Sequence, residues 1–452
     1  MSVTRTLVKS LFLCLTIGMA SPVMAQEDVA CENLWGATYM LVDKHVDELS
    51  FKEIVLQFLR KTDRTFNLGL RVSTNIDTVT ISNQSGETLL LECGEFDEFG
   101  VLTIRKLYKY LKPMLTQPLS HPELSEDFCE YIGDFMISSI DETGWALKEH
   151  TTNSFLSHSS IVGCTERKDS TGSYRIVAII DTSSSYLRGL RQGDLIIKIG
   201  SVPTSYLGMG YFKKLSSGHI GDTITVTIKR GYEFKEFFLV VELNTSRNSE
   251  KHDATAKMIE EVPETGHVVL GGFNSFNNQV ITDFLSSNQK KIKNLIIDAR
   301  YSTGGMLKSV QQLAQWFFNE KDTLWIEYHG SNSPSLHSQK RHVMGNGNGL
   351  SQKMKISILI SNNTASGAEF FLIPFKEFGK AKFYGSMTPG YMNIHRPFLL
   401  TLDTGMHGYR ITVGKVNSVS KSIREGFGIQ PDVVLTNNQD ALQYVLDELR
   451  NR

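Results

Sequence analysis

The segment from Ser361 to Glu369 constrains the fold of this chain more than any other segment does. It reads Ser-Asn-Asn-Thr-Ala-Ser-Gly-Ala-Glu and lies between the apolar run 356–360 and a helix-like segment, 370–378. A short apolar run bounded by polar residues predicts a buried strand, and the small residues after it allow a sharp turn into a helix. Ser366 is therefore predicted at the N-terminus of a helix.

Ser366 has two possible roles in such a turn. The first N–H groups of a helix lack partners and its dipole favours negative charge, so an attacking serine oxygen and a developing oxyanion would both be stabilised there. The N–H of Gly367 is the predicted oxyanion donor. Alternatively, Ser366 and Glu369 have the Ser-x-x-Glu spacing of a capping box, which requires no chemistry.

Three segments of the chain resemble one family in the family's own order. Residues 364–369, Thr-Ala-Ser-Gly-Ala-Glu, resemble the nucleophile segment of the carboxyl-terminal processing peptidases (tail-specific proteases) and their tricorn-like relatives. Residues 294–305 resemble that family's strand and following Gly-Gly turn, and residues 425–432 resemble its closing Glu-Gly-x-Gly-Ile-x-Pro-Asp segment. The resemblance implies a serine endopeptidase with Ser366 as nucleophile, with no cofactor and no metal.

The Gly-Gly turn at Gly304 and Gly305 is predicted to supply a second oxyanion donor. Glycine allows the backbone to approach a substrate closely, and the resemblance places this turn beside the nucleophile. The alternative interpretation of a Gly-Gly pair is an ordinary turn.

The composition indicates a globular protein of more than one domain. The chain has 452 residues, of which 40% are hydrophobic and 21% charged, so we expect two or three domains. Its formal net charge of -1 argues against a nucleic-acid partner.

Residues 1–25 have the pattern of a cleavable export signal. Arg5 and Lys9 precede an apolar stretch, 11–20, which is followed by small or aliphatic residues at 23–25. A membrane anchor is the alternative, but the stretch is far shorter than the roughly 20 residues that span a bilayer. We expect a periplasmic or secreted product without a stable membrane span.

Removal of this signal would leave four cysteines, Cys31, Cys93, Cys129 and Cys164. An even number in an oxidising compartment permits one or two disulfides, whereas free buried thiols are the alternative. The sequence does not choose among the three possible pairings.

Three regions are predicted after the signal. Residues 26–157 form a mainly helical N-terminal region with a hairpin-like insertion at 68–93, and residues 158–245 form a small β-rich module. Residues 246–452 form a core that begins with a polar linker, 246–262, and then alternates strands with helices. This alternation predicts an open α/β sheet, which the resemblance makes crotonase-like.

The β-rich module resembles a bacterial PDZ domain. Residues 187–199, Leu-Arg-Gly-Leu-Arg-Gln-Gly-Asp-Leu-Ile-Ile-Lys-Ile, match a PDZ segment, and residues 221–230 match the final strand. Such domains add an extended peptide to a sheet edge and capture its terminal carboxylate. By position the peptide-binding residues are Ser160, Ile161, Val162 and Gly163, although Ser160 and Ile161 replace the usual Gly-Gly. The resemblance implies protein or peptide partners with free C-termini; a non-binding packing module is the alternative.

This sequence differs from the processing peptidases at the position of their general base. Their lysine follows a Thr-x-Gly turn, but here Tyr391 follows Thr388-Pro-Gly390. A tyrosine with an ordinary pKa of about 10 is a poor acceptor for a serine proton.

The tricorn-like branch uses a histidine and a glutamate instead, and the matching residues here are His150 and Glu425. In a competing alignment residues 140–144 occupy the same family segment, which leaves no histidine. His158, His267 and His395 are lesser candidates.

These observations predict an exported serine endopeptidase that captures protein tails. A catalytically impaired relative that acts as a tail-binding adaptor is the alternative, because the family lysine is absent. A crotonase-fold enzyme acting on a thioester would explain neither the PDZ-like module nor the export signal. The sequence leaves the substrate and the oligomeric state open.

Overall fold

The computed structural model describes residues 49–93, 98–115, 120–125, 128–141, 144–148, 164–169, 171–179, 183–219, 221–241, 253–329, 340–347, 349–402, 405–435 and 439–451. The signal segment 1–25 lies outside them. Among the described residues, no helix has the length and apolar character needed to cross a bilayer.

The N-terminal region is helical around a small antiparallel sheet. Its helices are α1 (Phe51–Phe66), α2 (Glu98–Leu111) and α3 (Phe128–Ile140), with shorter turns at Lys112–Met114 and Pro122–Ser125. Its sheet has the strands β1 (Arg71–Thr74), β2 (Thr78–Ser82) and β3 (Thr88–Glu92), in the order β1-β2-β3. The Val, Ile and Thr residues of the predicted insertion thus form three strands instead of a two-stranded hairpin.

The next unit is a six-stranded antiparallel sheet. Its strands are β5 (Cys164–Lys168), β6 (Tyr174–Ile179), β7 (Leu195–Ile199), β8 (Val202–Pro203), β9 (Thr223–Arg230) and β10 (Glu233–Val240). It also has a helix α4 (Met209–Leu215) and short turns at Ser184–Leu187 and Thr204–Tyr206. The order is β10-β9-β7-β6-β5, with β8 paired to β7, so β5 is an edge strand. The expectation that residues 221–230 form the last strand is wrong, because β10 pairs along the whole length of β9.

The N-terminal region and this sheet share one hydrophobic core. Buried side chains of α1 and α3, such as Phe58 and Phe135, belong to the same cluster as Tyr174 and Phe212 of the β-rich unit. Asp134 of α3 accepts hydrogen bonds from the N–H groups of Gly210 and Tyr211 in α4, at 3.0 and 2.9 Å. These contacts pack the two predicted regions against each other.

The remaining chain contains a mainly parallel sheet. Its strands are β11 (Thr255–Met258), β12 (Thr265–Val269), β13 (Asn294–Asp298), β16 (Lys355–Ile360), β17 (Ala381–Gly385) and β20 (Val433–Val434), in the order β11-β12-β13-β16-β17-β20. Only β11 runs antiparallel to its neighbour. The polar segment 246–262 is therefore more than a linker, because β11 lies within it.

Helices cover both faces of the parallel sheet. They are α5 (Ser275–Asn288), α6 (Leu307–Gln315), α7 (Gly367–Glu377) and α8 (Ala441–Arg450), with a short turn at Leu350–Gln352. One large core lies between the sheet and α5, α6 and α7, and a smaller core lies beneath α8. This arrangement is the open α/β sheet predicted from the alternating pattern.

A second sheet joins the core to the N-terminal region. It consists of β14 (Thr323–His329), β15 (Lys340–Met344), β18 (Asn393–Leu402) and β19 (Gly405–Asn417), in the order β15-β14-β19-β18, with β4 (Trp145–Lys148) paired to β19. The protein thus has a mixed α/β fold.

The cysteines do not form two bridges. Cys129 is disulfide-bonded, whereas Cys93 and Cys164 are free thiols. Burial raises the pKa of the Cys93 thiol to about 11, so it is protonated near neutral pH.

Candidate active site

Three neighbouring parallel strands place the predicted site residues at one edge of the sheet. The strands β13, β16 and β17 are adjacent, and the loops that follow their carboxyl ends therefore meet. The N–H of Ala365 donates to the carbonyl of Ser302 at 3.1 Å, which joins the first two loops. The N–H of Asn362 donates to Oγ of Ser386 at 3.2 Å, which joins the second loop to the third.

Ser366 lies between β16 and α7 in a strained backbone conformation. Its φ is 55° and its ψ is -124°, a region that residues other than glycine rarely occupy. Such conformations persist only where surrounding contacts hold them, and they concentrate at functional sites. A strained turn from strand to helix presents the serine nucleophile in α/β-hydrolases. The predicted place of Ser366 at a helix N-terminus is confirmed.

The Gly304-Gly305 turn packs directly against this serine. A Cβ atom at Gly304 would lie 2.6 Å from the nitrogen of Gly367 and 3.1 Å from Cβ of Ser366. The φ of Gly304 is +99°, which also favours glycine. A Cβ atom at Gly305 would lie 2.5 Å from the carbonyl oxygen of Phe273. Close backbone approach therefore excludes larger residues from both positions.

Two backbone N–H groups meet beside Ser366. The nitrogen of Gly305 lies 3.1 Å from the position that a Cβ atom of Gly367 would take, and Gly367 is the first residue of α7. In the described part of the chain, neither N–H donates to a loop carbonyl or to a side chain. Two free donors next to one serine can bind an oxyanion.

Glu369 joins the turn at Ser366 to the turn after β17. Its side chain is fully buried and accepts four hydrogen bonds. Oε2 accepts from the N–H groups of Ser366 at 3.0 Å and Tyr391 at 2.8 Å. Oε1 accepts from Oγ1 of Thr388 at 2.5 Å and from the N–H of Gly390 at 2.8 Å. Burial raises the pKa of Glu369 to about 7, although the four hydrogen bonds oppose this shift.

Tyr391 is not placed to accept a proton from Ser366. Its hydroxyl donates to the carbonyl oxygen of Glu166 on β5 at 3.2 Å. The guanidinium of Arg167 lies over its ring, 4.6 Å from the centroid. Burial raises the pKa of Tyr391 well above its ordinary value, so the phenol is not ionised near neutral pH.

Glu425 binds the same turn from another side. Oε1 accepts from Arg167 at 3.0 Å, and Oε2 accepts from the N–H of Met392 at 2.6 Å. Burial raises the pKa of Glu425, while Arg167 opposes the shift. Glu425 therefore holds the Gly390–Met392 turn against Arg167 of the β-rich unit.

The structure describes two of the four candidate histidines. His150, His158 and the peptide-binding residues Ser160, Ile161, Val162 and Gly163 lie outside the described residues. His267 is buried on β12, with Nε2 3.9 Å from Oδ2 of Asp298. Nδ1 of His395 lies 2.9 Å from the guanidinium of Arg410. Within the described residues, no hydrogen bond links either ring to Ser366.

Sequence reasoning missed the full role of two residues. The spacing of Ser366 and Glu369 indicates one hydrogen bond within a helix N-terminus, but not the three bonds from residues 388–391. Nothing in the sequence singled out Arg167, which reaches both Gly390 and Glu425 from the β-rich unit.

Comparison with known proteins identifies the core. The model of peptidase family S41 matches residues 264–435, which include all three loops of the site. A probable CtpA-like serine protease of Staphylococcus epidermidis is 24% identical over 206 residues, 45% of this chain and 39% of that protein. One of Staphylococcus aureus is 23% identical over 203 residues, 45% of this chain and 38% of that protein. The match thus spans about two fifths of the length of these curated relatives.

A solved structure shares the fold over most of the chain. The photosystem II D1 C-terminal processing protease superposes with a TM-score of 0.58 at 16% identity, covering 93% of this chain and 97% of that one. The family match, the curated relatives and this shared fold agree on one assignment: residues 264–435 form a core of the peptidase family S41 type, similar to that of the CtpA-like serine proteases.

Proposed function

We propose that this protein is a serine endopeptidase with Ser366 as its nucleophile. The observation that carries the proposal is the strained backbone of Ser366, at φ 55°, beside the N–H groups of Gly305 and Gly367. A strained serine next to two free backbone donors suits acyl transfer, in which a nucleophile and an oxyanion develop together.

The reaction follows from this arrangement. Oγ of Ser366 attacks the peptide carbonyl carbon, and its proton passes to a general base. The oxyanion of the tetrahedral intermediate accepts hydrogen bonds from Gly305 and Gly367. Gly304 supplies the close approach that brings the two donors together. The base returns the proton to the leaving amine, and water then releases the acyl group by the same route.

We propose His150 as the general base, oriented by Glu425. A neutral imidazole accepts a serine proton near neutral pH, and a carboxylate fixes its tautomer. Glu425 accepts hydrogen bonds from Arg167 and from the backbone N–H groups of Met392 and Asn393, which hold its carboxylate beside the Gly390–Met392 turn.

We propose that the β-rich unit is a PDZ domain that captures protein C-termini at residues 160–163. In support, these residues immediately precede β5, an edge strand of the six-stranded sheet. An edge strand offers unpaired backbone groups to an added peptide strand, and backbone N–H groups ahead of it would bind the carboxylate. We also propose that residues 1–25 are a cleavable export signal, so that this activity takes place in the periplasm or outside the cell.

One observation favours the adaptor alternative. Tyr391 stands where the processing peptidases have lysine, and its hydroxyl is committed to Glu166. If no other base reaches Ser366, the protein binds tails without cleaving them.

A fluorophosphonate probe tests the proposed nucleophile directly, because it phosphonylates activated serines. We expect the full-length protein to be labelled at Ser366, as mapped by mass spectrometry of its peptides. Absence of labelling at Ser366, with a known serine hydrolase labelled in the same mixture, would reject the peptidase proposal and favour the adaptor.

A further inference from the structure

Each of the four hydrogen bonds around Glu369 requires its carboxylate oxygens to act as acceptors. Three donors are backbone N–H groups, which cannot accept. The fourth is Thr388, whose Oγ1 accepts the N–H of Ile429 at 2.7 Å and so directs its own proton to Glu369. An ionised carboxylate only accepts, whereas a protonated one would place its hydrogen against one of these donors. The geometry therefore fits the anion.

Within the described part of the chain, no charged side chain pairs with this buried anion. On α7, Lys376 pairs with Asp432 at 2.5 Å. Near the 388–391 turn, Glu425 pairs with Arg167. The shift in the pKa of Glu369 has burial as its largest cause, and hydrogen bonds alone oppose it. The carboxylate is thus held in place by neutral donors, and its burial costs folding free energy.

The same carboxylate fixes the two backbone segments that form the site. Ser366 occupies a region of backbone conformation that needs external support, and its N–H is held by Glu369. The N–H of Tyr391 donates to the same oxygen, so Glu369 holds the Thr388–Tyr391 turn in place beside Ser366.

From these contacts we propose that Glu369 is a positioning residue, whose ionised carboxylate holds Ser366 and the Thr388–Tyr391 turn in the reactive arrangement. Glu369 is not the general base, because both oxygens are already filled by two donors each. This inference rests on the proposed peptidase function for its activity readout, but its stability readout does not.

The test compares Glu369→Gln with wild type in the full-length protein. Glutamine has nearly the same shape but replaces one acceptor oxygen by an NH2 group, which faces two donors. We expect turnover of an unfolded protein substrate to fall by about 100-fold with little change in KM, as for loss of a transition-state contact. The urea midpoint at pH 8 should change little, because removal of the buried charge offsets the two hydrogen bonds that the NH2 group cannot accept.

A purely structural role predicts a different result. In that case Glu369→Gln would lower the urea midpoint and the turnover together, which overturns the proposal. Glu377→Gln is the matched control, because Glu377 lies on the same helix and accepts hydrogen bonds from Ser420 away from the site. It should leave turnover unchanged.

The pH dependence of stability separates this inference from the peptidase proposal. The folded pKa of Glu369, about 7, lies above the unfolded value, so the folded state takes up a proton as pH falls. The contribution of Glu369 to stability therefore decreases as pH rises from about 4.5 to 7 and is constant above that.

The urea midpoint of wild type, relative to Glu369→Gln, should fall across this window. A difference that does not change with pH would overturn the proposed buried, titrating carboxylate, whether or not the protein cleaves any substrate. Wild type could cleave nothing while its urea midpoint relative to Glu369→Gln still changes with pH as expected. The peptidase proposal then fails, and the ionised Glu369 carboxylate holds the two turns of an inactive site.

Discussion

The backbone N–H groups of Ser366 and Tyr391 donate to the same oxygen, Oε2 of Glu369, at 3.0 and 2.8 Å. Their two nitrogens therefore lie less than about 6 Å apart, twice the length of an ordinary hydrogen bond. The backbone of Tyr391 is thus close to that of Ser366, while the Tyr391 hydroxyl donates to Glu166 on β5.

Tyr391→Phe tests whether this hydroxyl takes part in catalysis. We expect turnover within about threefold of wild type and a stability loss of about 1 kcal/mol, the usual value of one hydrogen bond. The assay is hydrolysis of an unfolded protein together with urea unfolding. Loss of turnover at unchanged stability would instead make the Tyr391 hydroxyl a catalytic group.

Gly304→Ala tests the contact between the Gly-Gly turn and the nucleophile turn. A methyl group there would meet the nitrogen of Gly367 at 2.6 Å, so the oxyanion donors must separate. Loss of one such donor costs about 100-fold or more in turnover. Gly379→Ala is the control: its φ is +60° and nothing lies within 4 Å of the added atom. It should cost about 1 kcal/mol of stability and no activity.

The predicted tail capture is tested with paired peptides. In the Ser366→Ala background, which prevents cleavage, a peptide with a free carboxylate should bind more tightly than its amidated form. The amide lacks the charge and the charge-assisted hydrogen bonds to backbone N–H groups. Fluorescence anisotropy measures both affinities; equal values would argue against carboxylate capture at residues 160–163.

His150→Ala tests the proposed base. Turnover of wild type should rise with pH as the imidazole loses its proton, near an ordinary pKa of about 6.5, and the variant should lose orders of magnitude in turnover. His219→Ala is a suitable control, because its side chain is 93% exposed on the β-rich unit. If His150→Ala cleaves as well as wild type, the base is another group.

The sequence predicts the parts of the site that depend on local pattern. The apolar run before Ser366 and the small residues around it predict a strand, a turn and a helix, because each is set by neighbours in the chain. The alternation of strands and helices predicts the open α/β sheet, whereas the place of Gly304 beside Ser366 was predicted only from the family resemblance. The capping-box spacing predicts only the local bond between Glu369 and Ser366.

Other features depend on contacts that no local pattern encodes. The donors from residues 388–391 reach Glu369 only after β17 has paired beside β16. Arg167 reaches Glu425 from a separate sheet, across 258 positions of the chain. The strand β11 was missed because an edge strand tolerates the polar residues that indicate a linker. The common core of the N-terminal region and the β-rich unit likewise joins segments whose patterns fit two separate domains.

The central claim is that Ser366 is the nucleophile, and its most direct test is turnover of an unfolded protein by wild type and Ser366→Ala. The substitution exchanges one small residue for another at the same strained position, so the urea midpoint should change little. Ser286→Ala, on the exposed face of α5, controls for loss of a serine that only bonds its own helix. The account predicts that Ser286→Ala cleaves like wild type and that Ser366→Ala does not cleave at all. Cleavage by purified Ser366→Ala at the wild-type rate would contradict it.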